Sequence, residues 1–280
     1  MGRLGGFVGI IRPVNSVMMG VAILVAVVVA TGFTSVPLTS LALAFVAGFA
    51  LTGSAMTIND YYDRDIDAVN EPTRPIPRGD VKPQEAVVYS LLLSAVGLAS
   101  SYPTGWTTFG IATLSWAIMM VYSAWGKRTG FPGNLMVSTC IALPFVYGGV
   151  LAGDPSVSLL FGALALLSNT GREVTKGIVD IEGDRSRGVK TTAVSYGAKA
   201  AAHLASAFYL VAATASAAPI LLGMVSIWYV PFVAVTDLGL IYGTFSLLRN
   251  PSRETSRRVK NQVLYWMLFG LLAFAAGSLA

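Results

Sequence analysis

The chain has 280 residues, of which 54% are hydrophobic and only 12% are charged. An ordinary soluble domain carries about 25% charged residues, so the composition excludes a typical water-soluble protein and indicates one that lies largely within a membrane. The net charge of +5 requires no nucleic-acid partner, because a basic face beside anionic lipid is common in membrane proteins. We expect membrane lipids as neighbours, no nucleic acid and no obligate protein partner.

Apolar runs of about 20 residues are long enough to cross a bilayer as helices, and they recur from one end of the chain to the other. The sequence therefore predicts an all-α membrane protein with nine transmembrane helices in a single domain, residues 1–280. The predicted helices are 14–31, 38–61, 84–102, 107–124, 134–151, 157–179, 198–219, 225–248 and 261–280.

The basic residues are unevenly distributed along the chain. All 19 Lys and Arg residues lie before the first predicted helix, or in and next to the connections after the second, fourth, sixth and eighth helices. Cytoplasmic loops of membrane proteins collect basic residues. We therefore predict a multi-pass protein of the cell membrane, with the N-terminus and these connections in the cytoplasm and the C-terminus outside.

Two acidic segments, residues 59–67 and 180–184, lie at the ends of predicted helices on this basic face. Helical spacing places the polar residues of each segment on one helix face. Converging carboxylates repel one another unless cations intervene, and hard oxygen ligands favour Mg²⁺. A solvated acidic loop is the alternative for either segment alone. The predicted metal ligands are Asn59, Asp60, Asp63, Asp67, Asp180 and Asp184.

The two acidic segments also suggest an internal repeat. Aligning Asp63 with Asp184 also aligns Asn59 with Asp180. Four predicted helices separate the two segments. An even number of crossings returns the chain in the same direction. We therefore predict two parallel four-helix repeats, approximately residues 1–124 and 125–249, with the ninth helix added and a central cavity between them.

A Mg²⁺ ion held by few carboxylates usually shares its ligand shell with substrate phosphates, which require cations nearby. Several basic residues on the same face could bind a diphosphate, although each alone could instead determine topology. Three prolines stiffen residues 70–79, which could form a lid after the first acidic segment. The basic residues predicted to contact a diphosphate are Arg64, Arg74, Lys127, Arg128 and Lys190.

The acidic motifs resemble those of the UbiA superfamily of intramembrane prenyltransferases. The pattern N-D-x-x-D-x-x-x-D is matched by residues 59–67, and the pattern D-x-x-x-D by residues 180–184. The resemblance implies a prenyltransferase in which two Mg²⁺ ions bridge the acidic motifs to the diphosphate of an allylic isoprenoid. The isoprenoid tail would lie in the cavity within the membrane.

The resemblance also implies roles for individual residues. Asp63 and Asp184 would be the catalytic carboxylates. Arg12 and Asn15, in an Arg-Pro-x-Asn segment, would bind the acceptor. The segment Tyr-Ser-x-x-x-Lys-Arg would lie beside the diphosphate, and its residues are Tyr122, Ser123, Lys127 and Arg128.

Within the superfamily, residues 59–72 and 172–184 are similar to archaeal digeranylgeranylglyceryl phosphate synthases. This similarity implies transfer of a geranylgeranyl group from its diphosphate to geranylgeranylglyceryl phosphate in archaeal ether-lipid synthesis. The alternative is prenylation of an aromatic acceptor in quinone or chlorophyll biosynthesis. A remote alternative is a transporter of an anionic amphiphile. The position of the acidic segments at one membrane face, and not at mid-depth, argues against a transporter.

One carboxylate, Asp237, lies inside a predicted transmembrane helix, 225–248. An ionisable group at that depth is costly and is a functional candidate. Two roles remain open for it: a hydrogen bond to a neighbouring helix, or a place in the wall of the reaction cavity.

Overall fold

The computed structural model describes residues 2–31, 36–186 and 188–279, and the described chain is helical with no strand. Two short 3₁₀ turns, Tyr102–Thr104 and Gly126–Arg128, follow the fourth and fifth helices. The helices are α1 (Arg3–Ile10), α2 (Pro13–Thr31), α3 (Leu38–Asn70), α4 (Pro83–Ser101), α5 (Trp106–Ala124), α6 (Phe131–Ala152), α7 (Ser156–Val179), α8 (Ile181–Ser186), α9 (Thr192–Ala215), α10 (Ala218–Leu221), α11 (Tyr229–Arg249) and α12 (Arg253–Gly277).

Eight helical stretches among the described residues are long and apolar enough to cross a membrane. They contain α2, α3, α4, α5, α6, α9, α11 and α12, which confirms an all-α, multi-pass membrane protein. Helix α7 has 24 residues, but its last turns carry Arg172, Glu173 and Lys176 and it is not among the eight. The predicted count of nine therefore stays a prediction.

The helices form a closed arrangement in which α12 contacts α2, α7 and α11. Helix α3 packs between α2 and α4, and α7 packs between α6 and α9 in the same way. Contacts of α2 with α6 join the first part of the chain to the second. The symmetry relation between the two predicted repeats stays a prediction.

Helix α3 extends further than the sequence predicted. The expected end was residue 61, whereas the helix continues to Asn70 and has 33 residues. At the standard rise it is about 50 Å long, which exceeds the roughly 30 Å thickness of the bilayer hydrocarbon. The first acidic segment therefore occupies the last turns of a continuous helix, where its side chains can emerge from the hydrocarbon.

Side-chain caps explain two other boundary differences. The hydroxyl of Thr191 accepts a hydrogen bond from the backbone N–H of Val194 and caps a short first part of α9 that begins at Thr192. Gly197, with φ +85° and ψ 165°, breaks the helix, so the long apolar part of α9 begins near residue 198, as predicted. Ser252 caps α12 by accepting from the N–H of Thr255. Polar first turns follow both caps, and a prediction based on apolar runs misses them.

Close helix packing depends on glycine at the contact of α2 with α6. A Cβ atom at Gly148 would lie 2.4 Å from the carbonyl oxygen of Ile23 and 2.6 Å from the Cβ atom of Ala26. Small residues allow this approach in membranes.

We expect Gly148→Ala to lower stability by about 1 to 3 kcal/mol, because α2 and α6 must move apart. Thermal unfolding in detergent measures the effect. Gly110→Ala on α5 is the matched control, because a Cβ atom there has no neighbour within 4 Å. Equal melting temperatures for the two variants would contradict the packing argument.

Candidate active site

Arginines neutralise two buried carboxylates of the first acidic segment. Asp60, only 2% exposed, pairs with Arg12 at 2.6 Å and with Arg74 at 3.3 Å. Arg74 also pairs with Asp67 at 2.5 Å. Buried carboxylates are costly unless they are paired, so these arginines stabilise the end of α3. Arg12 reaches Asp60 from the joint between α1 and α2, where its φ angle is +47°.

The proline-rich loop contacts the first acidic segment through ion pairs. Arg74 anchors it through its two carboxylates, and Ile76 and Val81 are buried against Ile10 and Ile11. The loop therefore closes this end of the molecule beside α1.

Asn59 and Asp63 form a second group on α3. The Nζ atom of Lys127 lies 2.5 Å from Oδ1 of Asp63, and the side-chain amide of Asn59 donates to Oδ2 of Asp63 at 3.0 Å. The Asp63 side chain is 20% exposed. The structure thus divides the predicted single face of four ligands into an arginine-bound pair, Asp60 and Asp67, and a more accessible pair, Asn59 and Asp63.

The second acidic segment lies at a break between helices. Helix α7 ends at Val179, Asp180 occupies the break, and α8 begins at the next residue. The N–H of Asp184 still donates to the carbonyl of Asp180 at 2.8 Å, so the local spacing stays nearly helical. Arg253 secures the end of α7 by donating from Nε to the carbonyl of Val179 at 3.2 Å.

Tyr122 on α5 lies near both acidic segments. Its phenol group is close enough to both Asp63 and Asp184 for electrostatic interaction. The neighbouring Ser123 is fully buried, and its hydroxyl has no hydrogen-bond partner among the described residues. The Tyr-Ser-x-x-x-Lys-Arg segment therefore contributes Tyr122 and Lys127 to the region between the acidic segments.

Three of the predicted diphosphate ligands lie at the surface. Arg64 donates to the carbonyl of Tyr61 at 3.0 Å and lies 3.8 Å from Asp65. Arg128 and Lys190 are exposed. Their contacts with a diphosphate stay predictions.

The donor set suits Mg²⁺ that is shared with a substrate. Among the described residues, no three carboxylates lie close enough to form a ready-made metal cage. Mg²⁺ is usually bound by one or two carboxylates together with phosphate oxygens. Both acidic segments provide hard oxygen donors of this kind, from Asn59 and Asp63 in the first and from Asp180 and Asp184 in the second. The Asp63 side chain is accessible.

A cavity of about 460 Å³ lies within the helices. Its wall is mainly apolar, and Met19, Trp116, Phe145 and Phe274 are among the lining residues. Such a cavity can hold an isoprenoid chain away from water. The predicted acceptor residue Asn15 also lines it, whereas Arg12 is bound to Asp60.

Charged residues on α7 also reach this cavity. They lie in the segment 172–184 that resembles archaeal synthases, but the sequence predicted no role in the site for them. Arg172 and Glu173 line the cavity and pair at 2.8 Å, and Lys176 lies 3.6 Å from Glu173. The Glu173 side chain is only 8% exposed. The signal that could have identified them is charge within a helix long enough to span the membrane.

Asp237 takes both of the roles left open by the sequence. Its Oδ2 atom accepts a hydrogen bond from the hydroxyl of Ser216 at 2.7 Å, while the residue lines the cavity. Tyr229 donates to the carbonyl of Ser216 at 3.0 Å. Oδ1 of Asp237 is buried without a partner among the described residues.

We expect Asp237→Asn to keep the melting temperature and turnover near wild type, because the amide oxygen still accepts from Ser216. Asp237→Leu should cost about 1 kcal/mol through loss of this bond. Thermal unfolding and steady-state turnover measure the two variants. A large loss of turnover in Asp237→Asn with unchanged stability would instead assign the carboxyl group to the reaction.

Comparison with known proteins identifies the family of this chain. The model of the UbiA prenyltransferase family matches residues 18–275. Digeranylgeranylglyceryl phosphate synthase of Methanothermobacter thermautotrophicus is 35% identical over 273 residues, covering 97% of this chain and 95% of the relative. The enzyme of the same name from Natronomonas pharaonis is 36% identical over 253 residues, covering 90% and 91%.

Solved structures share the fold. A structure of digeranylgeranylglyceryl phosphate synthase has a TM-score of 0.86 at 28% identity and covers 99% of each chain. A UbiA homologue from Archaeoglobus fulgidus bound to DMAPP and Mg²⁺ has a TM-score of 0.66 at 19% identity, covering 96% of this chain and 99% of that one. These matches confirm the resemblance drawn from the acidic motifs: the chain belongs to the UbiA prenyltransferase family and is a membrane prenyltransferase.

Proposed function

We propose that this protein transfers a geranylgeranyl group from its diphosphate to the free hydroxyl of geranylgeranylglyceryl phosphate, in archaeal ether-lipid synthesis. The observation that carries the proposal is the mainly apolar cavity whose wall includes the charged residues Arg172 and Glu173. Such a cavity suits two substrates that each join an isoprenoid chain to a phosphate group. The names of the relatives, similar over nearly the whole chain, support the choice of acceptor.

In the proposed reaction, the allylic C–O bond of the donor breaks and diphosphate leaves. The acceptor hydroxyl oxygen forms the new bond to the allylic carbon and loses its proton. We propose that Asn59, Asp63, Asp180 and Asp184 would hold two Mg²⁺ ions, which would supply positive charge against the leaving diphosphate. Lys127 pairs with Asp63, and Arg74 pairs with Asp60 and Asp67 of the same acidic segment. Both cations would bind diphosphate oxygens.

The remaining parts of the chain would protect and orient the reactants. The apolar cavity excludes water, which would otherwise capture the allylic cation. Arg12 is paired with Asp60, so we assign it to holding the first acidic segment and retain Asn15 for the acceptor. We place the N-terminus and the acidic segments on the cytoplasmic side and the C-terminus outside, as the distribution of basic residues favours.

Radiolabelled geranylgeranyl diphosphate tests the proposal with the full chain in lipid nanodiscs. We expect release of pyrophosphate and a product with two prenyl chains when geranylgeranylglyceryl phosphate is the acceptor, and loss of both with EDTA. Transfer only to an aromatic acceptor such as 4-hydroxybenzoate would contradict the assigned acceptor. Movement of labelled lipid without pyrophosphate release would indicate a transporter.

A further inference from the structure

A second group of cations lies on α7 and α12, apart from those that contact the first acidic segment. Arg172 and Lys176 flank the buried Glu173 on α7. Lys260 on α12 is close enough for electrostatic interaction with Arg172, Lys176 and Asp180. We call Arg172, Lys176 and Lys260 the α7–α12 basic cluster.

The α7–α12 basic cluster reaches the cavity through Arg172. Arg172 lines it directly, and its Nε atom is buried without a hydrogen-bond partner among the described residues. Lys260 lies one helical turn before Leu264, which also lines the cavity, and residues four apart share a helix face. The cluster therefore has at least one donor that no described residue satisfies.

Charge in this region favours an additional anion. Only Glu173 and Asp180 offset the three cations, which leaves one positive charge in excess, and Asp180 is also one of the proposed metal ligands. The cations near the first acidic segment pair with its carboxylates, Lys127 with Asp63 and Arg74 with Asp60 and Asp67. We have assigned both of these cations to the donor diphosphate. A second phosphate group would thus find its complementary charge on α7 and α12.

We propose that the α7–α12 basic cluster binds the phosphate monoester of the acceptor lipid, separately from the diphosphate of the donor. The proposal rests on the proposed function. Tyr122 is close enough to interact electrostatically with Lys176 as well as with Asp63 and Asp184, so the cluster lies near the proposed diphosphate site. An acceptor held by its phosphate at the cluster would place its prenyl chain in the cavity that Arg172 lines.

The test compares phosphorylated and dephosphorylated geranylgeranylglycerol as acceptors for wild type, Arg172→Gln and Lys260→Gln. We expect Arg172→Gln to raise KM for the phosphorylated acceptor by about 10- to 100-fold, the usual range for a hydrogen bond to a charged group. Lys260→Gln should raise it by about 5- to 10-fold. KM for the donor and KM for the dephosphorylated acceptor should rise much less than KM for the phosphorylated acceptor, since neither depends on this phosphate contact.

Arg258→Gln is the matched control, because it makes the same charge change on α12 at a side chain that is 61% exposed. Its KM values should equal those of wild type. Lys260→Gln, at a partly exposed site, keeps the test decisive if Arg172→Gln fails to fold. An unchanged preference for the phosphorylated acceptor in a folded variant, or a rise in donor KM alone, would overturn this proposal and leave the function standing. A wild-type protein that does not prenylate the phosphorylated acceptor would overturn both.

Discussion

Asp63→Ala and Asp184→Ala should each lower prenyl transfer by about 100- to 1,000-fold or more at saturating Mg²⁺. Each change removes a proposed oxygen donor that helps to neutralise the leaving diphosphate, and loss of one such stabilising group commonly has an effect of this size. Turnover of the purified variants with labelled donor measures the effect. More than a tenth of wild-type turnover in either variant would contradict the metal assignment.

These changes should leave the fold intact. The Asp63 side chain is partly exposed where it meets Lys127, and an accessible ion pair contributes only about 1 kcal/mol or less. Asp65→Asn and Glu182→Gln are the controls, because both side chains belong to exposed residues in or beside the same segments. They should keep near-normal turnover. Equal damage in the controls and the test variants would show that the assignment of helix faces is wrong.

Arg74→Gln should destabilise the protein by about 3 to 5 kcal/mol and weaken donor binding. Arg74 is the residue that pairs with the buried Asp67, and removing one partner of a buried ion pair leaves an uncompensated charge. It also joins the proline-rich loop to Asp60. We expect KM for the donor to rise about tenfold through loss of a charge-assisted contact.

A double variant separates the two effects of Arg74. Asp67→Asn in the Arg74→Gln background removes the unpaired charge, so melting temperature should recover while donor KM stays high. Arg78→Gln is the control in the same loop, where Arg78 pairs with the neighbouring Asp80 near the surface, and its effects should be small. If the melting temperature of the double variant did not recover, Arg74 would stabilise the protein through another contact.

The sequence predicted the membrane class, the long helices and the acidic motifs because these depend on local properties. The length of an apolar segment determines whether it can cross a bilayer. The spacing of the acidic motifs is given directly by the sequence, at Asn59, Asp63, Asp180 and Asp184. The UbiA resemblance depended on the same residues, and the comparisons confirmed it. Helix ends were less accurate, because caps such as Ser252 begin helices before the apolar run starts.

Only the tertiary structure decided how charges are shared among distant segments. Arg12 meets Asp60 across 48 residues, and Lys127 meets Asp63 across 64. These pairs form because carboxylates at the buried end of a helix require counter-charges, and several cations in the sequence could have provided them. In the sequence, Arg172 is one more basic residue near a loop. The packing of α7 against its neighbours shows that Arg172 lines the cavity. The sequence determined which groups are present and on which helices, whereas packing determined which of them remain free to bind a substrate.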